Sequence, residues 1–282
     1  MPETHRPERI CAPGGLIKES QMEHNRLEQI LIKMQAAERA AAELMLRARD
    51  ILAERKSGRR DVVTEYDRRV QALLMKLLKK AVPDAHFFCE EMAERDRLDA
   101  ERLFIIDPID GTMNFVHGFH HSCISVAYAE RGEVLTGAVY NPYADEMFAA
   151  VRGGGAFLNG SAIHVTDAGL RESVVCFGTS PYDASLAGRT FALAKTLFDA
   201  SLDLRREGSA ALDLCTVAAG RAGLYFELQT SLWDYAAGAL IVREAGGQCV
   251  RTDGSALPQD GSKTDIVAGA SAAIAEFLRL AQ

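Results

Sequence analysis

Two carboxylates set three positions apart open the segment Asp107-Pro-Ile-Asp-Gly-Thr-Met-Asn-Phe115. Asp107 and Asp110, held on a proline-stiffened backbone and followed at once by Gly111 and Thr112, make a platform of oxygen donors. Hard cations such as Mg²⁺ take carboxylate, carbonyl and phosphate oxygens, so metal-assisted phosphate chemistry is the reaction class such a platform serves. Gly111 lets a phosphate come close to the backbone, and Thr112 adds a hydroxyl. The plain alternative is a tight turn in which both Asp side chains bond their own backbone.

Three further acid positions weigh against a turn alone. Glu90-Glu91 follows the apolar Phe87-Phe88 and lies seventeen residues before Asp107. Asp67 stands where a helix should start, after Asp61-Val-Val-Thr64. Asp234 follows the single tryptophan, Trp233, and opens another helix. Singly, each reads as a helix cap or a solvated acid. Four acidic sites at strand ends and helix starts predict one shared cation site.

The elements that must position them follow from hydrophobic spacing. Leu103-Phe-Ile-Ile106 reads as a short buried strand delivering Asp107 to its end. Helical spacing of Leu27, Ile30, Leu31, Met34, Leu44, Ala48, Ile51 and Leu52 predicts a helix over 25–56. Val70, Leu73, Leu74, Leu77 and Leu78 predict a second over 66–80, stopped before Pro83. Strands are expected at 122–129 and 134–140 about Arg131-Gly132, and at 147–151 and 156–158 about three glycines. Asn159-Gly160 reads as a turn. Helices are expected over 184–200 and 209–222, from near Asp234 to Gly246-Gly247, and over 271–281. Helices first, then strands, then alternation predict a layered α/β (α+β) body.

Apolar residues make up 48% and charged residues 25% of 282, the balance of a soluble globular protein. A formal net charge of −7 argues against a general nucleic-acid or anionic-membrane binder. Six cysteines without CxxC spacing suggest reduced thiols and a cytoplasmic protein. No apolar run is long enough to span a membrane. Residues 1–24 are polar and proline-containing, and read as a mobile extension before a single domain at 25–282. His117, His120 and His121 lack partner ligands at zinc spacing and read as surface or packing side chains.

The sequence resembles the inositol monophosphatase family of Mg²⁺-dependent, lithium-sensitive phosphatases. The D-P-x-D-G-T segment at 107–112 and the W-D-x-A-A-G segment at 233–238 carry the resemblance. Asp61–Asp67, Glu90-Glu91, Arg205 through Ala211, and Glu227 fall in the matching order, so it covers roughly 25–282. It implies a layered αβαβα sandwich of two lobes with the metal site between them. It implies two to three Mg²⁺ ions held by Glu90, Asp107, the Ile109 carbonyl, Asp110 and Asp234, with Asp107 bridging. Gly111 and Thr112 would offer backbone N–H groups to phosphate. Asp67 and Thr112 would together activate water for in-line attack. Ala210, Glu227 and Asp234 would contact the polyol, and Lys56 would stand near the metals.

Three departures bear on the substrate and the local turn. Cys89 replaces a common glycine, Phe119-His120-His121 lacks a common proline, and Ser231 stands where animal relatives carry histidine. The expected substrate is inositol 1-phosphate, with histidinol phosphate, fructose 1,6-bisphosphate and, last, a nucleotide 3′-phosphate as alternatives. A homodimer is implied, with no nucleic-acid or membrane partner expected. Some bacterial members bind the transcription machinery, so an interaction role stands beside the enzymatic one.

Overall fold

A computed structural model describes residues 13–281 except 59 and 95. In chain order the elements are α1 (Pro13–Leu46), β1 (Ala53–Gly58), β2 (Asp61–Thr64), α2 (Glu65–Ala81), β3 (His86–Cys89), β4 (Leu103–Asp110) and α3 (Thr112–His117). The strands β5 (Cys123–Glu130), β6 (Glu133–Asn141), β7 (Glu146–Val151), β8 (Ala156–Leu158), β9 (Ser161–Ile163) and β10 (Val174–Phe177) follow. The chain ends with α4 (Ala187–Ala200), β11 (Asp203–Arg205), α5 (Ala210–Ala218), β12 (Leu224–Thr230), α6 (Leu232–Glu244), β13 (Gln248–Val250), β14 (Thr264–Gly269) and α7 (Ser271–Leu280).

Seven strands form one sheet in the order β3-β4-β5-β6-β7-β8-β9, and five form another in the order β11-β10-β12-β14-β13. One face of the first sheet, through Phe104, Ile106, Val126 and Tyr128, packs on Met34, Val70, Leu74 and Leu78 of α1 and α2. Its other face, through Leu103, Ile105 and Ala127, meets Leu214, Tyr235 and Ile241 of α5 and α6, which also cover the second sheet through Cys176, Tyr225 and Ile266. The far face of that sheet, with Val175, Phe226 and Val267, holds Leu197 of α4 and Phe277 of α7. The result is the expected αβαβα stack, with α5 and α6 as the shared middle layer.

One expectation is corrected. The first helix ends at Leu46, and residues 53–58, expected to be helical, form β1, which pairs antiparallel with β2. Asp50 takes a positive φ of 50° just past the helix end, which breaks the helical path; Ala48 and Ile51 still pack at the edge of the core, while Leu52 is left 81% exposed. Residues 13–24 are helical and form the start of α1, with proline at its first position, where the missing N–H costs nothing. The expectation for 1–12 lies outside the described residues. The strands of the second sheet were not located one by one from sequence. They are short, two of only three residues, and buried on both faces at the centre, which removes the alternation that marks a strand.

Candidate active site

Strand β4 is the keystone. In a regular strand, residues three apart point to opposite faces. Asp107 pairs with Ser125 and Asp110 with Cys123 of β5, three steps on one strand against two on the other. This bulge holds an extra residue at Pro108-Ile109, where proline has no N–H to give to the ladder. It turns Asp107 and Asp110 to the same side. Asp107 Oδ1 accepts from Ile109 N at 3.0 Å, so the turn-type bond of the plain alternative is present here. Asp110 does otherwise: its Oδ2 accepts from Ser209 Oγ at 2.6 Å and from Ala211 N at 2.7 Å, at the start of α5.

Gly111 follows at φ 87°, and a Cβ there would lie 3.1 Å from the His121 carbonyl oxygen and 3.2 Å from that of Gly208. Only glycine takes this backbone without strain. The turn sets Thr112 at the start of α3, where its hydroxyl donates either to Ile109 O at 3.1 Å or to Asp67 Oδ1 at 3.3 Å. Asp67 also accepts through Oδ2 from Thr64 N at 2.7 Å and Thr64 Oγ1 at 2.5 Å, completing a capping box on α2. Asp67 therefore caps α2 and at the same time faces Thr112. Asp234 occupies the same third position of α6, and accepts from Ser231 N at 2.7 Å.

Glu90 comes directly after β3, which runs parallel to β4. Lys56 on β1 donates to Glu90 at 2.9 Å and also to Glu91. Glu227 on β12 accepts from Ser180 N at 2.7 Å and Ser180 Oγ at 3.2 Å through Oε1, and from Tyr225 OH at 2.7 Å through Oε2. Gly178 makes room for it, since a Cβ there would fall 1.9 Å from Glu227 Oε2.

All but one of the predicted site residues line one cavity of about 580 Å³: Glu90, Asp107, Ile109, Asp110, Gly111, Thr112, Ala210, Glu227 and Asp234, with Lys56 beside them. Asp67 stands behind Thr112. Seven carboxylates face three basic side chains, Lys56, Arg206 and Lys263, across this space. Burial, then the nearby charges of Glu90, Asp110, Asp234 and Asp67, push the Asp107 carboxyl well above its ordinary range. Burial followed by Asp110 does the same to Asp234. Burial raises Asp110 to about 6 against the donors Ser209 and Ala211. On Lys56, burial would lower the pKa, but Glu90 and Glu91 outweigh it and raise it.

Among the described residues no three of these acids are drawn tightly enough to form a closed cation cage as they stand. Asp107, Asp110 and Asp234 are turned to backbone or hydroxyl donors instead, and Glu90 to Lys56. The donor set is nonetheless that of a hard divalent cation: carboxylates and one carbonyl, with no thiolate or imidazole. Buried like charges that raise one another's pKa are the arrangement a divalent cation relieves.

Sequence reasoning missed Ser209, Ser180, Tyr225, Arg206 and Asp213. Ser209 alone left a signal, a serine before a helical run. Ser180 sits at positive φ of 41° in a loop with no motif. Of the histidines, His120 stacks on Tyr143 at 4.8 Å and His121 pairs with Glu207 at 3.1 Å. Cys123, Cys176, Cys215 and Cys249 are free thiols, and Cys11 lies outside the described residues. Among those residues no helix is long and apolar enough to cross a membrane.

A layered α/β body with an acidic cavity at the junction of its two sheets is the architecture of the small-phosphate phosphatases. The structure of extragenic suppressor protein suhB from Bartonella henselae superposes with a TM-score of 0.83 at 31% identity, over 90% of this chain and 98% of that one. An IMPase/NADP phosphatase complexed with Mg²⁺ and phosphate superposes with a TM-score of 0.74 at 26% identity, over 94% and 95%. The sequence model of the inositol monophosphatase family matches residues 26–282, and the chain belongs to that family. An inositol-1-monophosphatase of Rhizobium meliloti is 39% identical over 202 residues, 71% of this chain and 76% of that protein. A Nus factor SuhB of Haemophilus influenzae is 38% identical over 232 residues, 82% and 86% of the two chains. Family membership supports a phosphatase. The Nus-factor relatives leave the expected exclusion of nucleic acid without support.

Proposed function

We propose that this protein hydrolyses a small polyol phosphate monoester, inositol 1-phosphate foremost, with Mg²⁺ as cofactor. The observation that carries the reading is the contact of Thr112 with Asp67 at the wall of a cavity lined by Glu90, Asp107, Asp110 and Asp234. Those four carboxylates and the Ile109 carbonyl are the groups that would hold two to three Mg²⁺ ions. Bound there, Mg²⁺ supplies charge neutralisation and Lewis acidity to the phosphate.

The chain's own groups do the rest. Gly111 and Thr112 present backbone N–H groups to the phosphate oxygens. Thr112 Oγ1 takes a proton from the attacking water as its own passes to Asp67 Oδ1, so a buried carboxylate serves as general base through a hydroxyl. Ala210, Glu227 and Asp234 orient the polyol so that its alkoxide leaves in line with the attack. The same reading takes residues 25–282 as one domain of two lobes, active as a cytoplasmic homodimer.

The test is phosphate release from inositol 1-phosphate by the purified protein, with Mg²⁺ and with EDTA. Turnover that requires Mg²⁺ is the expected result. Absence of Mg²⁺-dependent turnover on inositol, histidinol and sugar phosphates alike would sink the proposal. The Nus-factor relatives favour a second, non-enzymatic role with the transcription machinery. Asp110→Asn separates the two, since hydrolysis should collapse while a binding role survives.

A further inference from the structure

Asp213 lies one turn beyond Ala210 on α5 and is 1% exposed, yet neither of its carboxylate oxygens has a hydrogen-bond partner among the described residues. Buried polar groups are almost always satisfied, and one that is not calls for an explanation. Among the described residues the Cys176 thiol, a weak donor, faces it. Burial, then the charges of Glu227, Glu207 and Asp110, push the Asp213 carboxyl well above its ordinary range, and Arg206, which donates to Thr179 Oγ1 at 3.1 Å, offsets them only in part. Asp213 is also part of the cavity wall, at the end formed by Gly178, Arg206, Ala210 and Glu227.

Glu227 is in the opposite condition. A carboxylate offers roughly four acceptor sites. Ser180 N and Tyr225 OH occupy two of them, and the Ser180 hydroxyl, which also faces the Gln229 carbonyl at 3.1 Å, takes a third when it turns toward Glu227. Little capacity is left for a substrate with several hydroxyls. The Cβ that Gly178 lacks would collide with this carboxylate, so Glu227 is held by a close-fitting wall as well as by its donors.

Resting on the polyol phosphatase reading, we infer that Asp213 is a specificity-determining residue of the leaving-group end, where its open acceptor sites take a second hydroxyl of the polyol beside the one held by Glu227. The unpartnered carboxylate is then satisfied by substrate rather than by protein. A site built to accept from a hydroxyl rejects analogues that lack it, because the acceptor is left buried and unpaired.

The experiment compares inositol 1-phosphate with 4-nitrophenyl phosphate, a monoester without hydroxyls, on the full chain and on Asp213→Asn. The variant should raise KM for inositol 1-phosphate about tenfold with kcat nearly kept, the loss expected for one buried hydrogen bond. Its kinetics on 4-nitrophenyl phosphate should match those of the unaltered protein. One monodeoxy inositol phosphate should be as poor for the unaltered protein as for the variant. Equal losses on both monoesters, or no loss on either, would overturn the inference and leave the phosphatase reading intact. Asp213→Ser, smaller and neutral, is read in the same way if the Asn variant does not fold. An unaltered protein active on 4-nitrophenyl phosphate but on no polyol phosphate would remove both readings together.

Discussion

Thr112 Oγ1 lies 3.3 Å from Asp67 Oδ1, although the two residues are 45 positions apart and belong to different helices. The same hydroxyl lies 3.1 Å from the Ile109 carbonyl oxygen, so one proton has two acceptors. Asp67 is fully buried, and its other oxygen caps α2 through Thr64. A single carboxylate thus fixes a helix end and faces a hydroxyl on the cavity wall.

Thr112→Ala and Thr112→Ser separate the hydroxyl from the fold. The serine variant should keep most activity, and the alanine variant should lose about 10²-fold or more in kcat at saturating Mg²⁺, the scale of a positioned proton acceptor. Asp67→Asn should lose as much, and should also lower stability by about 1 kcal/mol through the weakened cap. Steady-state kinetics and urea unfolding measure the two effects. Full activity of the alanine variant would remove Thr112 from the chemistry.

Ser209 touches Asp110 at 2.6 Å and is expected to act only through it. Ser209→Ala should raise the Mg²⁺ concentration for half-maximal activity by about 10- to 100-fold, the usual effect of losing a group that orients a metal ligand. At saturating Mg²⁺ kcat should recover. A variant whose loss is untouched by added Mg²⁺ would argue that Ser209 serves the fold alone.

The Asp110 carboxyl titrates at about 6 in place of its ordinary 3.8, because burial disfavours its charge. The folded protein then holds more protons than the unfolded chain between those values. Its stability contribution is full below the lower value and is lost as pH rises through the upper one. Asp107 and Asp234 are raised in the same direction. Thermal unfolding in EDTA should therefore show this contribution fading between about pH 4 and 7. Saturating Mg²⁺ should raise the midpoint by several degrees at pH 7 and by much less near pH 5. A Mg²⁺ shift independent of pH would contradict this linkage.

Gly178 is the least conspicuous residue with a sharp expected effect. Gly178→Ala would bring a methyl within 1.9 Å of Glu227 Oε2, so the carboxylate must shift against its bonds to Tyr225 and Ser180. KM for a polyol phosphate should rise about tenfold, with about 1–3 kcal/mol lost to overpacking. Hydrolysis of 4-nitrophenyl phosphate should be spared. A parallel loss on both substrates would mean that Glu227 is needed for more than the polyol.

Much of the site was legible because its residues are local signals. Asp107, Asp110, Gly111 and Thr112 are one short segment, and Asp67 and Asp234 are acids at helix starts that capping chemistry marks in sequence. The long amphipathic helices and the β5–β6 hairpin were legible for the same reason, as their periodicity is contained in their own residues. The end of α1 was not, since apolar spacing continues past Asp50 where the backbone turns away. Nor was the second sheet, whose strands are short and lack alternation.

The sequence by itself determined the chemistry: which acids are present, their order, and a glycine–threonine pair beside two of them. Tertiary structure decided their use. The bulge in β4 sets Asp107 and Asp110 on one side, and no spacing rule foretells a bulge from three residues. Burial decided which groups stay unsatisfied: Glu227 is supplied with donors from β12 and the Ser180 loop, while Asp213 on α5 has no hydrogen-bond partner within bonding distance among the described residues. A hydrogen-bond inventory depends on neighbours from distant segments, so it exists only once the layers are packed.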